Sequence, residues 1–525
     1  MKLSSLRRIR IAVSLILFLS MLFLFLATGY GILDPIANVL LHLQLLPSVL
    51  SFFALFFSIS TLGFLLVILL TLVFGRVYCS SICPMGTLQD IVTAFARLFK
   101  PRKKRRFNFS SNRKRILRYS ILGITLILWI SGSLFLVNLL DPYSNFGKVS
   151  VSLFKPAYIW FSNSIAFLFE GLDIFILSPR SMHTLPWDVV LISAVIFLTI
   201  AVMAAWRGRL FCNTLCPAGS ILALFSSRPL FRITFNKQEC TFCKKCEWVC
   251  KAECLDSKTH QVDHSRCINC FNCFSACPNN GIKYQPLPAV VKKSKKAVES
   301  SGEKRQFMLT MASGLLSIPL ITKLARSQGA SSPGMVPVEN QKVVTPPGSL
   351  SHEHFTNHCI ACYLCVSACP TKVIVPSFFD YGLEGFMQPK LDYHKNFCNF
   401  DCVRCSEVCP TGAITRQSEE EKKLIKIGEV KFLAESCVVT VDRNDCGACS
   451  EHCPTKAVQM VPYEDGLFIP EVYPEICVGC GACEYACPTG PYKAIYVTGL
   501  PVHQVAVPIE EADGPREDES DDFPF

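Results

Sequence analysis

The chain has 525 residues, 50% of them hydrophobic and 18% charged, with 29 cysteines and a formal net charge of +11. Soluble enzymes are rarely so apolar, membrane bundles rarely so charged, and disulfide-stapled secreted scaffolds are far shorter. Disorder is excluded for most of the chain, and several domains are implied, some in a membrane and some in water.

The charge is divided along the chain. Residues 330–525 hold 14 Lys and Arg against 28 Asp and Glu, whereas residues 1–329 hold 38 against 13. Cytoplasmic loops beside apolar spans retain Lys and Arg, so the basic first part needs no nucleic-acid partner.

A membrane helix needs about 20 apolar residues to cross roughly 30 Å of hydrocarbon. Residues 11–33, 48–74, 119–140 and 189–206 meet or approach that length without a charge. A fifth stretch, 156–175, carries Glu170 and Asp173 and reads as an interfacial helix on the outer side. Arg7, Arg8 and Arg10 precede the first span, Lys100 to Arg106 and Arg113 to Arg118 separate the second from the third, and Arg207 and Arg209 follow the fourth. These basic runs place all three regions in the cytoplasm.

An internal repeat supports this count. Residues 75–88 read GRVYCSSICPMGTL and residues 208–221 read GRLFCNTLCPAGSI. Each copy follows an apolar span, as in two parallel helical hairpins. If helical, Cys79 and Cys83, like Cys212 and Cys216, lie on one face, and the two pairs could converge on a four-sulfur site or line a quinone pocket. Small buried thiols packing a helix end are the alternative.

Of the remaining 25 cysteines, 24 form six groups of four: Cys240, Cys243, Cys246 and Cys250; Cys267, Cys270, Cys273 and Cys277; Cys359, Cys362, Cys365 and Cys369; Cys398, Cys402, Cys405 and Cys409; Cys437, Cys446, Cys449 and Cys453; Cys477, Cys480, Cys483 and Cys487. Five groups end in Cys-Pro. This is the bacterial ferredoxin run, in which three close thiolates hold one cubane and the fourth reaches the neighbouring cluster. Six [4Fe–4S] clusters are expected. Zinc explains Cys-x2-Cys pairs but not the third cysteine or the repeated ending.

In residues 236–285, Cys240, Cys243 and Cys246 should share a cluster with Cys277, and Cys267, Cys270 and Cys273 with Cys250. Lys251 stands where Pro is usual, and Cys254 is a spare thiol that could replace Cys250. The four later groups allow sequential pairing, third with fourth and fifth with sixth, or nested pairing, third with sixth around fourth with fifth. The compact spacing of the third and sixth groups favours the nested arrangement, with residues 371–397 and 454–476 joining an outer module to an inner one.

Residues 288–306 read as a flexible linker. From Lys304-Arg305-Gln306-Phe307, a short apolar stretch to Thr322 resembles a twin-arginine signal in mid-chain. Export of a folded, cluster-loaded domain would follow, and the acidic composition beyond it agrees; a buried helix with everything cytoplasmic is the alternative. The tail from Glu510 to Asp522 carries eight acids and reads as a solvated end. His352, His354 and His358 sit beside an already complete cysteine group and read as loop polar residues.

The expected fold is therefore multi-domain. A four-helix transmembrane bundle (1–235) is followed by a small α+β bacterial-type two-cluster ferredoxin (236–287). A linker with an anchor-like helix (288–330), a four-cluster ferredoxin-like module (331–508) and an acidic tail (509–525) complete it.

Residues 1–285 resemble the NapH-type membrane polyferredoxins, and residues 300–500 resemble the NapG/MauM-type ferredoxins, as in a natural fusion. The resemblance implies cluster ligation by the 24 cysteines and a redox-site role for Cys79, Cys83, Cys212 and Cys216. It further implies a multi-pass protein of the bacterial inner membrane in contact with lipid and the quinone pool. Such a protein would oxidise quinol and feed a periplasmic reductase or c-type cytochrome. A maturation or accessory electron donor, or a conduit fed by a cytoplasmic ferredoxin, would use the same residues.

Overall fold

The computed structural model describes residues 3–26, 34–55, 62–101, 105–109, 114–286 apart from 172, 174, 176, 177 and 182–184, and 342–508 apart from 491. The linker with its twin-arginine-like segment and the acidic tail lie outside the described residues.

Leu3–Leu26 is one helix of 24 residues, about 36 Å long at 1.5 Å per residue. Ser5–Leu26 and Trp187–Arg207 are, among the described residues, the two helices long and apolar enough to cross a membrane. The stretch 48–74 forms shorter helices at Leu45–Ala54 and Gly63–Phe74. The stretch 119–140 is also divided: Lys114–Ile130 stops near Gly132, at φ +86°, and Phe135–Leu140 follows. Glycine enters that left-handed region without a Cβ penalty and so ends helices. Counting apolar residues is blind to such helix ends, and among the described residues two of the four expected spans are not single helices of membrane length. Residues 142–170 are helical throughout, with a π-helical turn at Ser150–Phe154, and the helix Lys155–Glu170 covers most of the expected interfacial segment.

The cysteine-rich parts form three successive units, each tied by short antiparallel strands. In the first, Phe231–Phe235 pairs with Ile282–Pro286, so the chain enters and leaves side by side. The third repeats this frame, with Ile425–Phe432 against Ile495–Val505. A hairpin of Val458–Pro462 and Phe468–Val472 lies inside it. In the second, Ile374–Pro376 pairs with Pro389–Leu391, and the Leu391 amide donates to the Val344 carbonyl at 3.0 Å. The Thr415 amide closes that unit onto the Gly348 carbonyl at 2.9 Å.

Candidate iron–sulfur sites and the chain between them

The four compact cysteine runs share one backbone signature. The residues before and after the second cysteine are left-handed: Phe242 and Lys244, Asn269 and Phe271, Ala361 and Tyr363, Gly479 and Gly481. Six of these eight are not glycine, and a non-glycine residue at positive φ is uncommon and strained. The alternation turns successive N–H groups toward one concavity, the arrangement that receives anionic iron–sulfur groups. The irregular fourth and fifth groups lack it: Val403 has φ −115° and Gly447 has φ −117° at the corresponding helix starts.

In the first unit the cysteines assemble as their spacing predicts. One cavity is lined by Cys240, Cys243, Cys246 and Cys277, and the other by Cys250, Cys254, Cys267, Cys270 and Cys273. The Cys250 and Cys254 sulfurs are 3.5 Å apart. Cys250 lies within electrostatic reach of both Cys270 and Cys273, whereas Cys254 reaches Cys250 and Cys267. Cys250 is therefore the better-placed fourth ligand. Lys251 replaces the usual proline for a visible reason: its carbonyl accepts from the Arg209 amide at 3.0 Å and its ammonium pairs with Asp90 at 3.1 Å.

In the later units the nested pairing favoured by spacing is not what the fold forms. Cys409 faces Cys359, Cys362 and Cys365, and Cys369 faces Cys398 and Cys405. Likewise Cys487 joins Cys437, Cys446 and Cys449, and Cys453 joins Cys477, Cys480 and Cys483. Cys402 stands beside Cys398 and Cys405. Pairing is sequential because each unit closes around consecutive groups: Ile425–Phe432 with Ile495–Val505 brackets the fifth and sixth, and the Thr415 to Gly348 backbone bond brackets the third and fourth. Each unit combines one compact run with one irregular run, so likeness of spacing does not identify partners. The segments 371–397 and 454–476 are hairpins within their units.

The second and third units touch through their cluster loops. The Cys398 amide donates to the Cys480 carbonyl at 2.9 Å, and the Tyr393 hydroxyl to the Gly479 carbonyl at 2.6 Å. A Cβ on Gly481 would come within 2.1 Å of the Tyr393 ring. Burial and neighbouring sulfurs push the Cys449 and Cys480 thiols up to about 12. Such thiols stay protonated until a metal displaces the proton. Among the described residues no three His, Cys, Asp or Glu side chains stand close enough for a single metal ion, which fits thiolates spread around the corners of a cubane.

The three histidines of the third group serve structure. The His354 ring bonds the Gly412 carbonyl at 3.0 Å, the His358 ring bonds the His354 carbonyl at 2.8 Å, and His352 packs on Tyr381.

The two Cys-x3-Cys-Pro copies meet face to face. Cys83 lies within electrostatic reach of Cys79 and Cys212, and Cys216 within reach of all three others. They do not form i,i+4 pairs on single helices. Cys79 sits in a π-helical turn, Tyr78–Ile82, and Cys212 in the short helix Leu210–Thr214, while Cys83 and Cys216 precede the helices Pro84–Phe99 and Pro217–Phe225 with extended backbone. Proline at a first helical position is preorganised for that start.

The arginine of each copy crosses to the other. Arg76 donates to the Cys212 carbonyl at 3.1 Å, and Arg209 to the Cys79 carbonyl at 2.9 Å. A Cβ on Gly86 or Gly219 would strike the facing guanidinium, at 2.7 and 2.9 Å. Both arginines are fully buried, and Arg209 is held by Asp90 at 2.8 Å. The repeat reveals these arginines in the sequence; only the fold reveals that they are exchanged.

The N-terminal helix carries a ferredoxin unit at each end. Near its start, Arg7 donates to the Ser275 hydroxyl of the first unit at 3.0 Å. At its far end, the Ser367 hydroxyl of the second unit donates to the Phe25 carbonyl at 2.6 Å. Lys155 donates to the same Ser367 side chain at 2.7 Å, the Ser144 hydroxyl to the Ile360 carbonyl at 2.5 Å, and Asn138 to the Phe386 carbonyl at 3.2 Å. Nothing in hydropathy or cysteine spacing announces these contacts.

Family models match the cysteine-rich parts, and one dicluster match, 397–457, spans the fourth and fifth groups across the boundary between the second and third units. A 4Fe-4S binding domain matches twice, at residues 55–106 and 189–237, and so covers both copies of the repeat. Two 4Fe-4S dicluster models match residues 358–414, 397–457 and 442–491, and a further 4Fe-4S binding domain matches 267–282. The protein is therefore a ferredoxin-like iron–sulfur protein carrying several 4Fe–4S domains and made for electron transfer. The methylamine utilization ferredoxin-type protein MauM of Methylorubrum extorquens is 31% identical over 156 residues, covering 28% of this chain and 70% of the relative, and the chain belongs to that ferredoxin-type family. Ferredoxin-type protein NapF of Escherichia coli is 26% identical over 154 residues (29% of this chain, 85% of the relative). The putative electron transport protein YccM of the same species is 24% identical over 223 residues (40% and 51%). No solved structure matches the chain.

Proposed function

We propose that the chain conducts electrons across a bacterial inner membrane, from quinol to a periplasmic reductase or c-type cytochrome, through six [4Fe–4S] clusters held by the 24 grouped cysteines. The membrane domain would comprise residues 1–235, with two of its four spans built from broken helices, and would combine NapH-like and NapG-like parts in one chain. Residues 236–287 would face the cytoplasm. Residues 331–508 would lie outside, delivered through the twin-arginine-like segment within 288–330.

The observation that carries this reading is the helix Leu3–Leu26. It is long enough to cross the hydrocarbon layer, and its two ends hold different ferredoxin units. Its exposed Ile9, Ile16 and Leu19 suit contact with lipid. The broken helices are compatible with a membrane site, because irregular backbone there is tolerated where it is buried in protein. The order of cysteine sets, with Cys398 against Cys480, gives a continuous path through the outer units.

The test is quinol-dependent bleaching of the cluster absorption in purified membranes. Reduction by quinol supports the reading; reduction by a soluble low-potential carrier alone contradicts it. One observation favours that second donor. Cys243 is exposed in a loop with Phe242, Lys244 and Lys245, and Lys237 is exposed nearby, a surface suited to an acidic protein carrier.

A further inference from the structure

We propose that Cys79, Cys83, Cys212 and Cys216 together hold one iron–sulfur cluster between the two copies of the repeat, a seventh centre inside the membrane domain, with Arg76 and Arg209 supplying its countercharge. What this centre does rests on the electron-conduit reading; its existence rests on the site itself.

Each copy supplies two cysteines, half of a four-thiolate set. The family model for 4Fe–4S binding matches each copy separately, yet neither copy can complete a cluster alone. The fold brings the halves together, and all four are buried free thiols facing one another. They are not spaced for a single ion, since no such group of three occurs among the described residues. A multi-iron core needs wider spacing, with one thiolate at each iron.

The charge around the site is the second observation. Arg76 is 0% exposed. Its hydrogen bonds go to the Asn213 side-chain oxygen at 2.8 Å, the carbonyls of Ser265 and Cys212, and the Cys79 sulfur at 3.5 Å. All but the sulfur are neutral acceptors, and its Nε has no partner. Arg209, 1% exposed, shares the single carboxylate of Asp90 with Arg10 and Lys251. Burying an uncompensated cation is costly. Thiols that merely pack a helix end would not call for two exchanged guanidiniums. A thiolate-ligated cluster is anionic, and the arginines meet that charge from both sides of the pseudo-twofold.

The site also lies on the path. Arg76 and Arg118 both donate to the Ser265 carbonyl, two residues from Cys267. On the other side Tyr78 lies within electrostatic reach of Cys83 and Asp141, and Asp141 within reach of Cys362. A centre here divides the distance between the first ferredoxin unit and the second.

Iron and acid-labile sulfide in the anaerobically purified full chain test this. The proposal expects about 28 irons per chain, where six clusters alone give about 24. The double substitution Cys83→Ser with Cys216→Ser should remove about four irons while the ferredoxin signals persist. Arg76→Gln should keep the iron and lower the midpoint potential of one centre only, because a positive charge beside it is lost. This variant and the wild-type count decide the matter should the double variant fail to fold. Wild-type iron near 24 with Cys79, Cys83, Cys212 and Cys216 all freely alkylated would overturn the proposal, as would iron unchanged by the double substitution. Loss of quinol-driven reduction with all iron retained would instead overturn the conduit reading and leave this centre standing.

Discussion

The first ferredoxin unit, which the proposed topology puts inside, and the later pair, which it puts outside, attach to the N-terminal helical domain in different ways. The inner unit is joined by an ion pair as well as by backbone hydrogen bonds: Lys251 enters the cluster in which Asp90 also holds Arg10 and Arg209, each within 3.1 Å, Arg7 reaches Ser275, and Arg76 and Arg118 reach the Ser265 carbonyl. The outer pair is fixed by buried hydrogen bonds from Lys155, Ser144 and Asn138 to backbone or hydroxyl groups, and among the described residues no ion pair crosses this joint. On the proposed topology, a basic cytoplasmic rim would suit the first attachment, and a unit docking after export would find its place by shape and backbone pairing. Within the later units, backbone closure around consecutive groups, not resemblance of cysteine spacing, decides which thiols face one another.

The largest expected effect concerns that pairing. Cys369→Ala should eliminate the cluster of Cys398, Cys402 and Cys405 and spare that of Cys477, Cys480 and Cys483. Electron paramagnetic resonance of the reduced protein would show one centre lost and the third unit's signals intact; loss from the third unit would restore the nested pairing.

Asp90→Asn should follow in size. It leaves Arg10, Arg209 and Lys251 facing one another, and breaking a buried ion pair costs about 3–5 kcal/mol. Burial alone would raise the Asp90 pKa, but Arg209, Lys251 and Arg10 hold it down at about 2, below its ordinary 3.8. The carboxylate therefore stabilises the joint fully above about pH 4. That contribution fades as the pH falls toward 2. Hydrogen exchange in residues 245–254 should rise in the variant at pH 7 and in the wild type only in acid.

At the outer joint, Lys155→Ala removes charged hydrogen bonds to Ser367, worth about 1.5–3 kcal/mol. Exchange should rise at residues 359–369 and not at 245–254. Gly481→Ala introduces a methyl against the Tyr393 ring at a φ of +78°, an overpacking cost of about 1–3 kcal/mol. It should loosen the contact between the second and third units. Electron transfer between them should slow while iron content stays near that of the wild type.

Much of this was readable from residue order. Thiolate spacing is local chemistry, so four groups and the pairing within the first unit follow from Cys-x2-Cys-x2-Cys-x3-Cys, and the two irregular groups from its Cys-x2-Cys-x3-Cys-Pro ending. The repeat pointed to Arg76 and Arg209 without saying that each serves the other copy, because an exchange across a pseudo-twofold leaves no mark on either copy. The pairing of Cys369 with Cys398, Cys402 and Cys405 depends on backbone contacts, such as Thr415 to Gly348, that close around consecutive groups, a long-range property. The breaks before Gly63 and at Gly132 were hidden in uniformly apolar stretches. Lys148 and Lys155 are buried basic residues just before the stretch 156–175, whose two acids mark it as interfacial.

The central claim is that the two ends of the Leu3–Leu26 helix face different compartments. Intact spheroplasts treated with a membrane-impermeant amine reagent test it directly, with modified lysines identified by mass spectrometry. Lys431 and Lys456 of the outer pair are exposed, as are Lys237, Lys244 and Lys245 of the inner unit. The account predicts labelling of the first set in intact spheroplasts and of the second only after lysis. Labelling of both sets together, before or only after lysis, would contradict it.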